Sequence, residues 1–170
     1  MSLRKISRGV VAILFCAAGF GPTAWAAEAA KGKILITGPA ALAVVRALDG
    51  ARRKLASPAC QEVLTDFTDP EGRTLRENLA AVSPADYLAL MVIRDGEIPK
   101  GSGRCAHPGA GAFTQRGSGV VFVCAGNFAR QGPRLRENAL IHEMLHSLGL
   151  GENPPSSKEI SRRVEQRCGV

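Results

Sequence analysis

Residues 139–152 read ALIHEMLHSLGLGE, and this stretch decides how the rest of the chain is understood. Within it, His142-Glu143-Met144-Leu145-His146 is an H-E-x-x-H run, with Gly149 and Glu152 close behind. Residues four apart share one face of an α-helix, so a helix here presents both imidazoles to one point. Two neutral imidazoles about 2 Å from a single ion suit Zn²⁺. Glu143 faces the same cleft, where it can take a proton from water held by the metal. The chain has only three histidines, and two of them stand at this spacing beside a glutamate. A packed, hydrogen-bonded histidine pair is the plainer reading, but the flanks also fit a zinc helix. Pro133 suits a first turn. Leu135, Ala139, Ile141 and Leu145 supply apolar faces. Gly149 falls where the chain leaves the helix, in a left-handed conformation. The helix is expected over residues 133–148.

A catalytic zinc takes three protein ligands and keeps one position open. Glu152, beyond the Gly149 turn, is the expected third ligand, with Glu159 and Glu165 as alternatives. Glu159 also has a capping place three residues after Ser156, and Glu165 also reads as a solvated helix residue. No oxyanion stabiliser stands out, and Tyr87 is the only tyrosine. Residues 142–152, HEMLHSLGLGE, resemble the H-E-x-x-H-x-x-G-x-x-H/D motif of the metzincin branch of the zincin zinc metallopeptidases. The resemblance implies zinc held by His142, His146 and a third ligand brought in by the Gly149 turn. It implies Glu143 as general base, a zincin-like fold, and hydrolysis of peptide (amide) bonds in a peptide or protein substrate. Two positions depart from the pattern. Glu152 stands where His or Asp is usual, and no methionine follows Met144 to form a Met-turn. A glutamate third ligand is typical of the gluzincin branch, where it comes from a later helix. The competing class is a catalytically inactive, zinc-stabilised secreted binding protein, which holds metal without turnover.

The N-terminus reads as an export signal. Arg4, Lys5 and Arg8 make a positive n-region, residues 10–20 are apolar, and Ala24-Trp25-Ala26 is an A-x-A cleavage site. Phe15 before Cys16 argues against lipidation, and the apolar run is too short for an anchor. The expectation is cleavage after Ala26, a secreted or periplasmic protein with no stable membrane anchor, and one domain over residues 27–170. Loss of three basic residues lowers the net charge from +7 to +4 (7 − 3). That excess, without clustered Lys/Arg, is weak ground for a nucleic-acid partner, and none is expected. Four cysteines remain: Cys60, Cys105, Cys124 and Cys168. An even count in an exported chain without a C-x-x-C pair points to two disulfides rather than zinc ligation. The preferred pairs are Cys105–Cys124 and Cys60–Cys168.

The fold class follows as α+β: a small sheet packed on the zinc helix, plus a C-terminal helix. Strands are expected at residues 33–37, 87–93 and 120–124. The last of these is placed at an edge beside the cleft, where it can pair with an extended peptide. Helices are expected at residues 40–55, 59–67 and 73–82, and a final one from Ser156, with Ile160, Val164 and Cys168 on its inner face. Residues 66–72 read as turn chemistry rather than a calcium loop. Residues 96–119 read as mostly loop, with His107 solvated within it.

Overall fold

A computed structural model describes residues 33–97 and 103–169; the expected signal peptide lies outside them. Along the described chain come β1 (Ile34–Leu35), α1 (Pro39–Leu55), α2 (Pro58–Gln61), α3 (Leu75–Asn78), α4 (Pro84–Leu90) and β2 (Val92–Asp95). There follow β3 (Ala112–Thr114), β4 (Val120–Val123), α5 (Ala125–Arg130), α6 (Pro133–Ser147) and α7 (Ser157–Cys168), with 3-10 turns at Glu62–Leu64 and Arg104–Ala106. The class is α+β, one compact domain.

The sheet order is β1-β2-β4-β3. β1, β2 and β4 run parallel, with Ile93 opposite Ile34 on one side and Val121 on the other. β3 joins β4 as an antiparallel hairpin, Phe113 opposite Phe122. The hairpin turns at Gly117, whose φ of 74° is open to glycine at little cost. Its N–H donates to the His146 carbonyl (3.0 Å), tying the turn to the end of α6.

α6 starts as expected, with Pro133 in its first turn. From Leu140 onward every residue to its end is buried. Leu140, Ile141, Met144 and Leu145 fill the core. Each fully buried side chain of this kind is worth roughly 1.5–3 kcal/mol. α1 meets α6 through small residues, and a Cβ on Gly50 would come within 2.3 Å of the Glu137 carboxylate. Lys54 closes this contact with an ion pair to Glu137 (3.1 Å) and a hydrogen bond to Asn138 (2.9 Å). α7 buries Ile160, Val164 and Cys168 on its inner face, as expected. Its far end is pinned by the Cys60–Cys168 disulfide and by a two-pronged contact of Arg167 with Asp66 (2.8 and 2.9 Å). Both expected disulfides are present.

The structure corrects several element assignments. Residues 87–90 are not strand but the last turn of α4, and β2 begins at Val92. The reason lies upstream: Ser83 caps the helix by accepting from the Asp86 N–H (3.1 Å), and Pro84 occupies the first turn. The helix expected over 73–82 shrinks to α3, one turn opened by a Thr74–Glu77 capping box, with Ala80 at positive φ just beyond the Leu79 cap. The helix expected over 59–67 is divided between α2 and a 3-10 turn. Within the expected loop, residues 112–114 form β3, which takes the sheet edge, so residues 120–123 are an interior strand rather than the edge. α5 had no counterpart among the expected elements.

Candidate functional site

His142, Glu143 and His146 of α6 face one cleft. His142, Glu143 and His146 are only 7, 7 and 8 % exposed, and none forms an ion pair among the described residues. Burying three such groups without a charged partner is costly for stability alone, which marks the face as a functional candidate.

The two imidazoles converge with Nε2 atoms 3.0 Å apart. Their outer nitrogens are both engaged. His146 Nδ1 meets the Leu150 carbonyl at 2.9 Å, and His142 Nδ1 meets Ser161 Oγ of α7 at 3.0 Å. A carbonyl only accepts, so His146 carries its proton on Nδ1 and presents a lone pair on Nε2. His142 Nε2 therefore donates to that lone pair and its Nδ1 accepts from the Ser161 hydroxyl; because Ser161 can also accept, the other tautomer opens to His142 when a metal takes the place between the rings. Burial and the neighbouring ring push His142 down to about 4, keeping it neutral near pH 7. Metal ligands must be neutral imidazoles. Two ligands on a tetrahedral zinc at 2.0–2.1 Å lie roughly 3.3 Å apart, close to the observed separation. The pair therefore fits a shared ion, with its outer hydrogen bonds already in place.

The Leu150 carbonyl reaches His146 because α6 ends in a Schellman motif. Gly149, φ 110°, donates to the His146 carbonyl (3.0 Å), and Leu150 donates to the Leu145 carbonyl (3.1 Å). Gly149 thus adopts the positive φ expected of it. From behind, the Asn78 amide donates to the Leu148 carbonyl (2.8 Å) and to Asp69 (3.0 Å), bracing the turn.

Glu143 faces β3, where the Thr114 backbone N–H hydrogen-bonds its carboxylate. Burial first and then the Glu152 charge push Glu143 up to about 8; the Thr114 hydrogen bond and Arg104 oppose the shift. All of these line one cleft of about 660 Å³, with Phe113, Phe122 and Arg116 along its walls. A recess of about 340 Å³ continues past His142 and Glu143 toward Leu135 and Ala139.

The expected site residues are brought together unevenly. His142, Glu143, His146 and Glu152 all line the cleft. Glu152 is exposed on its rim, and among the described residues no three His, Cys, Asp or Glu side chains converge closely enough to enclose an ion. Of the alternatives, Glu165 pairs with Arg134 (3.2 Å) and Glu159 is exposed on α7. Ser157 of α7 also reaches the cleft. His107 is exposed, as expected. Tyr87 hydrogen-bonds with Ser147 and lines a separate depression. The reading of the chain missed Thr114, Ser161, Arg104 and Arg116, none of which belongs to a motif. Ser161 had one signal: it follows the inner-face residue Ile160 on a helix expected to pack beside the histidines. No family model, no curated protein and no solved structure matches this chain.

Proposed function

We propose that this chain is a zinc-dependent metallopeptidase, exported to the periplasm or beyond, that hydrolyses peptide (amide) bonds. The observation that carries the reading is the pair of buried, outwardly anchored imidazoles 3.0 Å apart, with a buried glutamate beside them in one cleft. His142 and His146 would hold the zinc, with Glu152 on the rim of the cleft as the third ligand. When bound, zinc polarises a scissile carbonyl and makes water in its open position acidic near neutral pH. Glu143 moves the proton, taking it from the attacking water and returning it to the leaving amine. The Thr114 N–H orients Glu143. Backbone groups alternate along a strand, so Ala112 points its N–H and C=O to the same side as the Thr114 amide. That side of β3 is the sheet edge and borders the cleft, so an extended substrate can pair there. The two disulfides place the protein in an oxidising setting, which supports export.

A second reading, a zinc-stabilised binding protein without turnover, is favoured by the distance of any third ligand from the histidine pair. One experiment separates them. Purified protein is assayed for zinc by elemental analysis and for cleavage of a peptide library. About one zinc per chain with cleavage supports the peptidase. Zinc without cleavage leaves the binding protein, and no zinc after reconstitution overturns both.

A further inference from the structure

We propose that Arg104 and Arg116 set the specificity of the cleft, selecting peptides with a carboxylate side chain next to the scissile amide. The inference deepens the peptidase reading and rests on it. Both arginines line the cleft beside Glu143, both are exposed, and neither forms an ion pair among the described residues.

The segment carrying Arg104 is built to hold it in place. Cys105, the next residue, is bonded to Cys124 at the end of β4. The Asn127 amide donates to the carbonyls of Cys105, His107 and Ala110, at 3.2, 3.0 and 3.1 Å. The Arg104 guanidinium then lies 5.3 Å from the centroid of the Phe113 ring, which itself stacks on Phe122 at 5.2 Å. Stacking on an aromatic face leaves the donor edge of a guanidinium free. Arg116 arrives from the β3–β4 turn, which is fastened to α6 through Gly117. Arg104 therefore sits on an anchored segment against the phenyl rings, and Arg116 lies beside Gly151 in the same cleft. A guanidinium fork matches a carboxylate with two parallel hydrogen bonds, and the apolar rings strengthen the attraction by excluding water. The substrate already placed along β3 is a peptide, and its anionic side chains are those of Asp and Glu. Glu152 is the exposed carboxylate of the same cleft, and it is not within ion-pair distance of either arginine.

The test is equilibrium binding of labelled octapeptides to E143Q protein in zinc-containing buffer. Each peptide carries a single Glu, or its Gln isostere, at one of the central positions. At one position at least, the Glu peptide is expected to bind about tenfold tighter than the Gln peptide. R104Q and R116Q, each added to E143Q, are expected to bring that ratio toward one, and raised salt to shrink it. Both arginines are exposed, so their replacement does not put folding at stake. Equal affinities at every position overturn the proposal, and so does a ratio that survives both arginine changes. The unsubstituted protein separates this inference from the reading beneath it. Glu-selective binding without cleavage defeats the peptidase alone; cleavage of Glu and Gln peptides with equal kcat/KM defeats the specificity alone.

Discussion

Glu143 and Ser161 touch opposite sides of the His142 neighbourhood and predict different losses. Glu143→Gln keeps the shape of the side chain and removes its basicity. It is expected to retain zinc while peptide hydrolysis falls about 10²–10⁴-fold, measured as metal content and kcat on one preparation. Ser161→Ala removes the partner of His142 Nδ1 at 3.0 Å and leaves the Nε2 pair untouched. The ring then loses its orientation, and zinc affinity is expected to fall about 10–100-fold in a chelator competition. Unchanged affinity would show that Ser161 only packs there. Neither role is visible in residue type alone. His142 and His146 announce themselves by spacing, whereas a serine is informative only when its hydroxyl is seen 3.0 Å from a ring nitrogen.

The decisive element is the turn that ends α6. Gly149 has a φ of 110°, and a Cβ there would lie 3.3 Å from Asp69 Cβ. Gly149→Ala is therefore expected to cost about 1–3 kcal/mol, read from urea unfolding, and to weaken zinc binding by moving the Leu150 carbonyl. Asp69 supports the same turn. The Asn78 amide first, with the Arg73 backbone and side chain, holds its carboxyl down at about 2 against a smaller burial effect. A carboxylate whose value is depressed in the folded state stabilises above its unfolded value near ~3.9, and that stabilisation drains as pH falls toward about 2. The urea midpoint is expected to drop between pH 4 and pH 2 in the unsubstituted protein and to drop less steeply in Asp69→Asn. Equal slopes would show that Asp69 is not the group responsible.

Across the whole molecule, the Cys60–Cys168 disulfide joins residues 108 apart and closes the far end of α7. Restricting so long a loop in the unfolded chain is worth about 4–5 kcal/mol by chain entropy. A C60A/C168A protein is expected to unfold at correspondingly lower denaturant and to bind zinc more weakly, because α7 carries Ser161. Loss of stability with unchanged zinc affinity would show that the Arg167–Asp66 contact alone holds α7 in place. Cys105–Cys124 braces the other wall of the cleft, so the two bonds hold its opposite sides.

Local chemistry determined what could be read from the chain alone. Helix period placed α1, and end signals placed α6 and α7, because Pro133 and Ser156 act within a turn of themselves. Spacing by four placed both imidazoles together for the same reason. An even cysteine count predicted two disulfides, but it left three connectivities open, and folding decided the pairs. Tertiary structure alone decided the sheet order, the edge position of β3 and the true place of β2. A three-residue strand such as Ala112–Thr114 has no period to read, and it exists because β4 supplies its hydrogen-bond partners. The strand-like run from Tyr87 became helix because Ser83 and Pro84 captured its start. Thr114, Arg104 and Arg116 reach the cleft, and Ser161 reaches His142 from the recess behind it, from three separate segments that only folding makes neighbours.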